Sequence, residues 1–449
     1  MRYSDRLFES ILKKRGLRND RIWIWNKAFL RIARGALFFL DSRALLSSQY
    51  WPRDRIERLQ RARLTDLMRA ASSVPFWNGR MSGFSFREDS ILLEFQTLAV
   101  ISKRDLTELP ERQLVNERYV RMSYRDRTSG STGRPFAFLM DAGYSLRSYA
   151  VCERMFRAAA NGIRYPVVSV RAREREGFAF HGYSFFFVRS YNALKHRFPE
   201  FLNIVKDYRS GFILYGFVSP LVELARLVSE QDPELPVRAV IASGEELRPQ
   251  TRATIEKAIS ANVFSCYTAQ ELGWLAFECS EKKLHLNEET VFIEIVDPDG
   301  APLPEGSEGR IVATPLDHRV MPLIRYFTGD IGTIEIAACA CGRTLRTIRI
   351  KGREAHMIEL SAERSVPLLE LASVFDRYAG AIFQYQIVHT GPLIFTMRVV
   401  AGASYDRIHK KLRNALMHML HPSVQLNFEL VDQIEAAPSS KAIYYVRTF

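Results

Sequence analysis

Eight residues at positions 128–135 are small, hydroxyl-bearing or otherwise suited to a loop, and apolar residues follow them at once. They are Thr128, Ser129, Gly130, Ser131, Thr132, Gly133, Arg134 and Pro135. Glycine lets a backbone approach a ligand closely, successive N–H groups form an anion site, and hydroxyls donate to phosphate oxygens. The run predicts a loop that binds nucleotide phosphates, although its two glycines lie too close together for the common P-loop. The alternative is a flexible turn between two strands.

Four potential metal ligands form two pairs further along the chain, Cys279 with His285 and Cys339 with Cys341. Three thiolates and one imidazole make a sound tetrahedral ligand set for zinc. Five residues separate the first pair and one residue separates the second, which is not the spacing of a standard zinc finger. The pattern predicts a zinc site. The alternative is a group of unconnected buried cysteines, which are common in proteins.

Short apolar runs alternate with amphipathic helical patterns between residues 140 and 260. This alternation predicts α/β layers with mostly parallel strands. An earlier helix is predicted at 55–71 from apolar residues at helical spacing, and an antiparallel strand pair is predicted around a turn at 297–300. The predicted strands are 166–170, 211–214, 237–242, 291–296 and 309–314, and the later predicted helices are 220–231 and 249–260.

The last part of the chain has a different pattern, in which the predicted elements follow the order helix, strand, strand, helix, strand. An α-β-β-α-β unit of roughly 95 residues is a plausible small domain. Its predicted elements are a helix at 368–377, strands at 383–388 and 393–400, a helix with a basic face at 405–420, and a last strand at 424–430.

Further short motifs follow the loop in a fixed order, and each is weak when taken alone. They are Ala242-Ser243-Gly244-Glu245, Tyr267-Thr268-Ala269-Gln270-Glu271, Arg325-Tyr326-Phe327-Thr328-Gly329-Asp330, Ile350-Lys351-Gly352-Arg353 and Ser439-Ser440-Lys441. The ordered set resembles the adenylate-forming superfamily of acyl-CoA ligases, adenylation domains and luciferases. Val74-Pro75-Phe76-Trp77, Leu214-Tyr215-Gly216 and Cys339-Ala340-Cys341 are similar to its phenylacetate–CoA ligase branch, which includes coenzyme F390 synthetase-like and CapK-like proteins.

The resemblance covers roughly residues 50–449 and implies an α/β fold with two domains. The first is a large N-terminal adenylate-forming domain of layered sheets and helices, and the second is a small, mobile α+β lid. On this basis we expect a helical segment at 1–70 that belongs to the large domain, a nucleotide- and acid-binding core at 71–352, and the lid at 353–449.

The resemblance also implies the reaction and its residues. The family uses ATP to adenylate a carboxylic acid and passes the acyl group to a thiol, either of CoA or of a carrier protein's phosphopantetheine. The implied catalytic residues are Lys441, Arg353 and Glu271, of which Glu271 also holds Mg²⁺. Tyr267 is expected to stack on adenine, and Asp330 to accept both ribose hydroxyls. The remaining implied nucleotide-binding residues are Thr128, Ser129, Gly130, Ser131, Thr132, Gly133, Arg134, Ser243, Gly244, Glu245 and Thr268.

Several positions depart from the family's pattern. Relatives commonly have lysine at Arg134 and glycine at Ser440, and they often have acidic residues after the motif that ends at Arg353. The thioester step is therefore less well supported than the adenylation step. Three other functions stay open: AMP transfer to a non-thiol acceptor, amide ligation, and a non-catalytic scaffold with the same fold.

Charge and composition limit the partners. The formal net charge is +13, which favours anionic partners such as ATP, CoA or an acidic carrier protein, and otherwise serves solubility. No recognised nucleic-acid motif accompanies the charge.

The apolar stretch at 21–46 is interrupted by charges and lacks the ~20 residues that a spanning helix needs. It predicts a helix on the protein's own core, or else an interfacial helix. Five cysteines in 449 residues indicate a reducing, cytoplasmic setting rather than a disulfide framework. The oligomeric state is left open.

Overall fold

A computed structural model shows how these segments fold. It describes residues 42–448 apart from positions 122, 128–135, 172–177, 181–182, 188–190, 232–233, 336–337, 355–356, 362–363, 369–370, 372–373, 376, 379–380, 403, 422, 433 and 435–444. The predicted phosphate loop, Lys441 and most of the N-terminal apolar stretch therefore lie outside the described residues. Within the described part of the chain, no helix has the length and apolar character needed to cross a membrane.

The chain divides into two compact units. The large unit comprises Met1–Thr328 and Thr333–Arg349, and the small unit comprises Gly329–Gly332 and Ile350–Phe449. Each unit has its own group of buried apolar side chains. Val168, Leu214 and Leu224 belong to a core of the large unit, and Ile387 and Leu416 belong to the core of the small unit.

The described part of the large unit begins with helices. Residues 42–48 are helical, and α1 (Arg53–Ala71) confirms the helix predicted at 55–71. Pro52 precedes α1, where its fixed φ and missing N–H suit a helix start. The buried face of α1 includes Ile56 and Leu64, so its apolar spacing serves core packing. Short helices that the sequence did not predict come next: α2 (Pro75–Asn78), α3 (Ile91–Gln96), α4 (Lys103–Thr107), α5 (Glu111–Leu114) and α6 (Glu117–Val120).

A two-stranded hairpin brackets the predicted phosphate loop. Strand β1 (Ser123–Arg127) pairs antiparallel with β2 (Ala137–Asp141), and the last pair before the loop joins Arg127 to Ala137. Helix α7 (Ala142–Ala159) follows directly. The Asp141 side chain accepts hydrogen bonds from the first N–H groups of α7, which satisfies donors that a helix start otherwise leaves unpaired.

Twelve of the strands form one sheet. They are β3 (Val167–Arg171), β4 (Phe178–Phe180), β5 (Tyr183–Phe187), β6 (Phe212–Phe217), β7 (Val237–Ser243), β8 (Val263–Ala269), β9 (Gly273–Glu278), β10 (Leu284–Leu286), β11 (Val291–Val296), β12 (Glu308–Pro315), β13 (Tyr326–Glu335) and β14 (Thr347–Arg353). Their order across the sheet is β11-β12-β13-β14-β10-β9-β8-β7-β6-β3-β5-β4.

One half of this sheet is mostly parallel, as the alternating pattern predicted. Strands β5, β3, β6, β7 and β8 pair parallel in that spatial order. Parallel neighbours need a crossover connection, and helices supply it. The connecting helices are α8 (Tyr191–Val205), α9 (Val218–Gln231) and α10 (Pro249–Ile259).

The other half of the sheet includes antiparallel pairs. Strand β9 pairs antiparallel with β8 and with β10, and β10 pairs antiparallel with β14. Strands β11 and β12 pair antiparallel from Val291 with Pro315 to Val296 with Arg310. The strand pair predicted around the turn at 297–300 is thereby confirmed.

The small unit has a four-stranded sheet in the order β19-β18-β17-β20, which consists of β17 (Ile382–Gly391), β18 (Ile394–Ala401), β19 (Gln425–Leu430) and β20 (Tyr445–Arg447). A separate pair, β15 (Met357–Ser361) and β16 (Arg364–Pro367), precedes it in the chain. The prediction that 424–430 is the last strand is wrong, because β20 follows it in the chain. Strand β17 pairs antiparallel with β18 and parallel with β20. Helix α11 (Tyr405–Leu420) lies between β18 and β19 in the chain.

Candidate functional site

Glu271, the predicted magnesium ligand, lies in the turn between β8 and β9. The two strands pair as far as Ala269 and Gly273, so the turn projects from a fixed antiparallel stem. The Glu271 side chain is half-buried, and the Tyr326 hydroxyl donates a 3.0 Å hydrogen bond to its Oε1. A carboxylate has several acceptor positions, so this bond orients the group and leaves capacity for another ligand. The motif containing Tyr326 was recognised from the sequence, but no role was assigned to this side chain.

Tyr267 and Thr268 lie just before that turn, at the end of β8. Both are half-buried, and they pair with Ala276 and Trp274 of β9. Because β8 runs parallel to β7, these residues are at the carboxyl ends of the parallel strands. That edge is where open α/β sheets bind ligands.

Ser243, Gly244 and Glu245 follow β7 at the same edge of the sheet. The buried Ser243 hydroxyl lies 3.1 Å from the hydroxyl of Tyr215, so it faces the protein interior. Gly244 has φ +73°, and a Cβ there would lie 2.7 Å from the Phe217 ring.

The Glu245 carboxylate accepts hydrogen bonds from the backbone N–H and the hydroxyl of Ser219 at the start of α9. The visible partners of Ser243 and Glu245 are therefore structural. An adenine-side role for the segment that contains them stays a prediction.

In the small unit, Asp330 and Arg353 form an ion pair. Arg353 Nε lies 3.2 Å from Asp330 Oδ1, with the aspartate side chain 10% exposed and the arginine side chain 48% exposed. Gly329, just before Asp330, has φ +85°, a conformation that favours glycine. The structure thus brings together two residues that the motifs assigned to ribose and phosphate binding.

The predicted zinc ligands converge in the large unit. Cys279 follows β9, His285 lies in β10, and Cys339 and Cys341 precede β14. The four ligand atoms all lie within 4.8 Å of one another. Cys279 Sγ is 3.7 Å from Cys339 Sγ, and Cys341 Sγ is 3.3 Å from His285 Nε2. Two pairs that are about 60 residues apart in the sequence are therefore joined by the sheet.

These distances fit a tetrahedral ion. With a Zn–S bond of about 2.3 Å, a tetrahedron has sulfur–sulfur edges of about 3.8 Å. His285 Nδ1 lies 2.8 Å from the Leu345 carbonyl, which leaves Nε2 for the cluster and orients the ring. Cys279 and His285 are buried, whereas Cys339 and Cys341 are partly exposed. The donor set is closed and fits a structural zinc site.

Protonation equilibria at the cluster favour neutral groups on its buried side. Burial raises the pKa of the Cys279 thiol to about 12, with the neighbouring Cys339 and Cys341 contributing. Burial also lowers the pKa of His285, so its imidazole is neutral. At Cys341, burial opposes the thiolate, but hydrogen bonds and charge from Arg343 outweigh it and lower the pKa. A cation would remove the cost of ionising the buried thiol.

A buried ionic network follows His285 in the chain, and the sequence did not predict it. Arg154 Nη1 lies 2.6 Å from Glu289 Oε1, and both side chains are almost fully buried. Arg53 and Arg346 both pair with Glu288 at 2.6 and 2.8 Å. These pairs connect α1 and α7 to the chain after β10. The run of two glutamates after His285 was the available signal, but their partners are distant in sequence.

Comparison with known proteins places these features in context. No family model matches the chain. It is 30% identical over 193 residues to the phenylacetate–coenzyme A ligase of Thermus thermophilus, covering 41% of this chain and 43% of the relative. It is 26% identical over 203 residues to the Escherichia coli phenylacetate–coenzyme A ligase, covering 42% and 45%. The aligned region thus spans less than half the length of these curated relatives.

Solved structures extend the likeness over most of the chain. The 2-hydroxyisobutyryl-CoA ligase in the postadenylation state, with 2-HIB-AMP, superposes with a TM-score of 0.73 at 20% identity. The match covers 90% of this chain and 93% of that one. The anthranilate CoA ligase AuaEII with anthranoyl-AMP gives a TM-score of 0.52 at 12% identity, over 71% and 64%. The resemblance inferred from the motifs is therefore confirmed: the chain is similar in sequence to phenylacetate–CoA ligases and has the fold of the adenylate-forming CoA ligases.

Proposed function

We propose that this protein is an AMP-forming acid–thiol ligase. The observation that carries the proposal is the complete ordered set of motifs on a fold that matches a CoA ligase over nine tenths of the chain. At the centre of that set, Glu271 is held by Tyr326 at the sheet edge where such folds bind ligands.

The proposed reaction has two steps. In the first, an oxygen of the carboxylate attacks the α-phosphorus of ATP, and pyrophosphate leaves as the acyl-AMP forms. In the second, a thiolate attacks the acyl carbonyl carbon, and AMP leaves as the thioester forms. Both steps require two anions to be held together while negative charge is neutralised.

Particular residues have the chemistry for these tasks. The 128–135 loop would supply N–H groups and hydroxyls for the phosphates, and Lys441 would supply a cation for the α-phosphate and the acyl oxygen. Glu271 is the residue that would hold Mg²⁺, which neutralises phosphate charge when bound. Asp330 would accept the ribose hydroxyls, with Arg353 beside it. Tyr267, Thr268 and the 243–245 segment are assigned to the adenine side.

We assign the acceptor thiol to CoA, because the relatives are named as CoA ligases. The net charge of +13 is equally suited to an acidic carrier protein that presents phosphopantetheine. We place the enzyme in the cytoplasm, where ATP, CoA and reduced thiols occur together. We expect the substrate to be a small apolar carboxylic acid, and we expect an aryl acid to be the preferred substrate.

We also propose that Cys279, His285, Cys339 and Cys341 hold a structural Zn²⁺. The closed donor set and the tetrahedral spacing support this proposal. The ion would join β9, β10 and the loop before β14, at a position distinct from the Glu271 turn.

The function is tested by carboxylate-dependent exchange of labelled pyrophosphate into ATP, over a panel of aryl and aliphatic acids. We expect exchange with at least one acid and its loss in Lys441→Ala. Thioester formation with CoA is then followed by mass spectrometry. No exchange despite ATP binding would favour AMP transfer to another acceptor, and absence of ATP binding would favour a non-catalytic role.

A further inference from the structure

Three consecutive residues of the turn between β8 and β9 are each bonded to a different part of the large unit. Gln270 bonds to Asp126, Glu271 to Tyr326, and Leu272 to Tyr144. The partners lie 144, 55 and 128 residues away in the sequence. Tertiary contacts from β1, β13 and α7 therefore hold this turn.

Tyr144 lies in the first turn of α7, and its backbone N–H donates a hydrogen bond to the Asp141 side chain. Its side chain is 5% exposed, and its hydroxyl donates to the Leu272 carbonyl. Burial raises the pKa of Tyr144, so the hydroxyl keeps its proton and remains a donor. The His318 ring packs against it with centroids 5.1 Å apart. The donor is thus fixed in position and in protonation state.

Gly273 completes this contact. Its φ is +74°, a conformation that L side chains rarely adopt, and a Cβ at this position would collide with the Tyr144 hydroxyl. The close approach of Tyr144 to the backbone therefore depends on a glycine directly after Leu272. The backbone conformation of Gly273 and the packing of Tyr144 therefore favour the same conformation of the turn.

Gln270 connects the same turn to the predicted phosphate loop. Its Nε2 donates a 2.8 Å hydrogen bond to Asp126 Oδ2 on β1. Asp126 is one residue before Arg127, whose pairing with Ala137 closes the stem of the 128–135 loop. One hydrogen bond thus joins the stem of the predicted phosphate loop to the residue next to the predicted metal carboxylate.

We infer that Tyr144, Gln270 and Asp126 are positioning residues that fix the Glu271 carboxylate relative to the stem of the phosphate loop. The inference rests on the proposed function. Glu271 is the residue that would hold Mg²⁺, and Mg²⁺ tolerates little displacement of the groups that hold it. Misplacement by about 1 Å can reduce a rate on the order of 100-fold. A direct bond between the two chain segments helps to keep them within this tolerance.

The first test removes one hydroxyl. Tyr144→Phe deletes the bond to Leu272, and Tyr405→Phe is the matched control, since Tyr405 is also buried and its hydroxyl has no hydrogen-bond partner among the described residues. We expect Tyr144→Phe to raise the Mg²⁺ concentration for half-maximal pyrophosphate exchange about tenfold. The KM for the carboxylic acid is expected to stay unchanged. Equal Mg²⁺ requirements in both variants would overturn the inference.

The second test is a double-mutant cycle with Asp126→Ala and Gln270→Ala. If the two side chains act through their bond, the double variant is impaired no more than either single variant. Effects that multiply would overturn the proposed coupling. Circular dichroism and thermal unfolding identify any variant that fails to fold.

A readout independent of turnover separates this inference from the proposed function. Hydrogen exchange of the amides at 269–273 is measured by mass spectrometry in wild type and Tyr144→Phe. We expect faster exchange in the variant, and unchanged exchange would overturn the inference. If the wild type shows no pyrophosphate exchange with any acid, the proposed function fails. The amide exchange result then decides whether Tyr144 holds the turn.

Discussion

The Cys/His cluster and the Glu271 turn are built in contrasting ways. The four cluster ligands lie within 4.8 Å of one another, two of them are fully buried, and together they could hold a metal ion. Glu271 is half-buried and has one described hydrogen-bond partner, the hydroxyl of Tyr326, while the other predicted nucleotide residues are distributed over both units. Among the described residues, the cluster thus gathers four possible ligands, whereas the Glu271 turn presents one oriented carboxylate.

The functions proposed for the two regions account for this difference. A structural metal contributes to folding only if the protein supplies the whole shell. A site that binds ATP and releases pyrophosphate has to leave ligand positions free. Its residues are therefore positioned by hydrogen bonds to neighbouring protein groups that do not occupy those positions. Tyr326, Tyr144 and Gln270 do this through neutral side chains that add no charge beside the phosphates.

The largest effect is expected at the cluster. Cys339→Ser and Cys341→Ser should each release zinc and lower the free energy of unfolding by several kcal/mol, because the lost binding energy is folding energy. Metal analysis of the purified protein and thermal unfolding measure both effects. Wild-type protein that is folded and free of metal would contradict the zinc proposal.

At the Glu271 turn, we expect the opposite distribution of effects. Glu271→Gln removes a negative charge from a half-buried site and should reduce pyrophosphate exchange by about 10²–10³-fold, as loss of electrostatic stabilisation typically does. The temperature of unfolding should change little. A variant that is destabilised and keeps its specific activity would show that Glu271 has a structural role, which would remove the contrast between the two regions.

His318 packs against the Tyr144 ring, and its burial should make the stability of the protein depend on pH. Burial lowers its pKa to about 4, and its Nε2 lies 2.9 Å from the Leu139 carbonyl. The folded state therefore holds a neutral imidazole that the unfolded state protonates below about pH 6.5. Stability from this group is complete above that pH and falls as the pH decreases towards 4.

Between pH 7 and pH 5, this histidine should cost about 2 kcal/mol of unfolding free energy. The measurement is urea unfolding of wild type and His318→Asn at both pH values. The wild type should lose more stability than the variant. Parallel losses would show that His318 is already protonated, or does not titrate differently, in the folded protein.

The smallest effect is expected for Tyr326→Phe. Deleting this hydrogen bond to a carboxylate should cost about 1.5–2 kcal/mol in transition-state binding, which corresponds to roughly a 10- to 30-fold lower kcat/KM for ATP. Phe retains the packing of this buried ring, so stability should be nearly unchanged. An effect as large as that of Glu271→Gln would indicate that Tyr326 contacts the substrate itself.

Much of the fold was predictable because it depends on local patterns. The alternation of apolar runs and amphipathic helices indicated the parallel strands β3, β6 and β7. The strand pair around the turn at 297–300 was predicted from turn residues. The short helices between α1 and β1 were missed, because four to six residues are too few to show a helical period. Strand β20 was missed because its three residues acquire their pairing from β17.

The sequence by itself determined the chemistry of this protein: the residue types, their order along the chain, and the family they resemble. Tertiary structure decided which of these residues meet. Cys279 reaches Cys339 across 60 residues, and Tyr144 reaches Leu272 across 128. Residue types are local properties of a chain, whereas such distances depend on how a twelve-stranded sheet places its strand ends. The partners that orient Glu271 could therefore be identified only after the chain was folded.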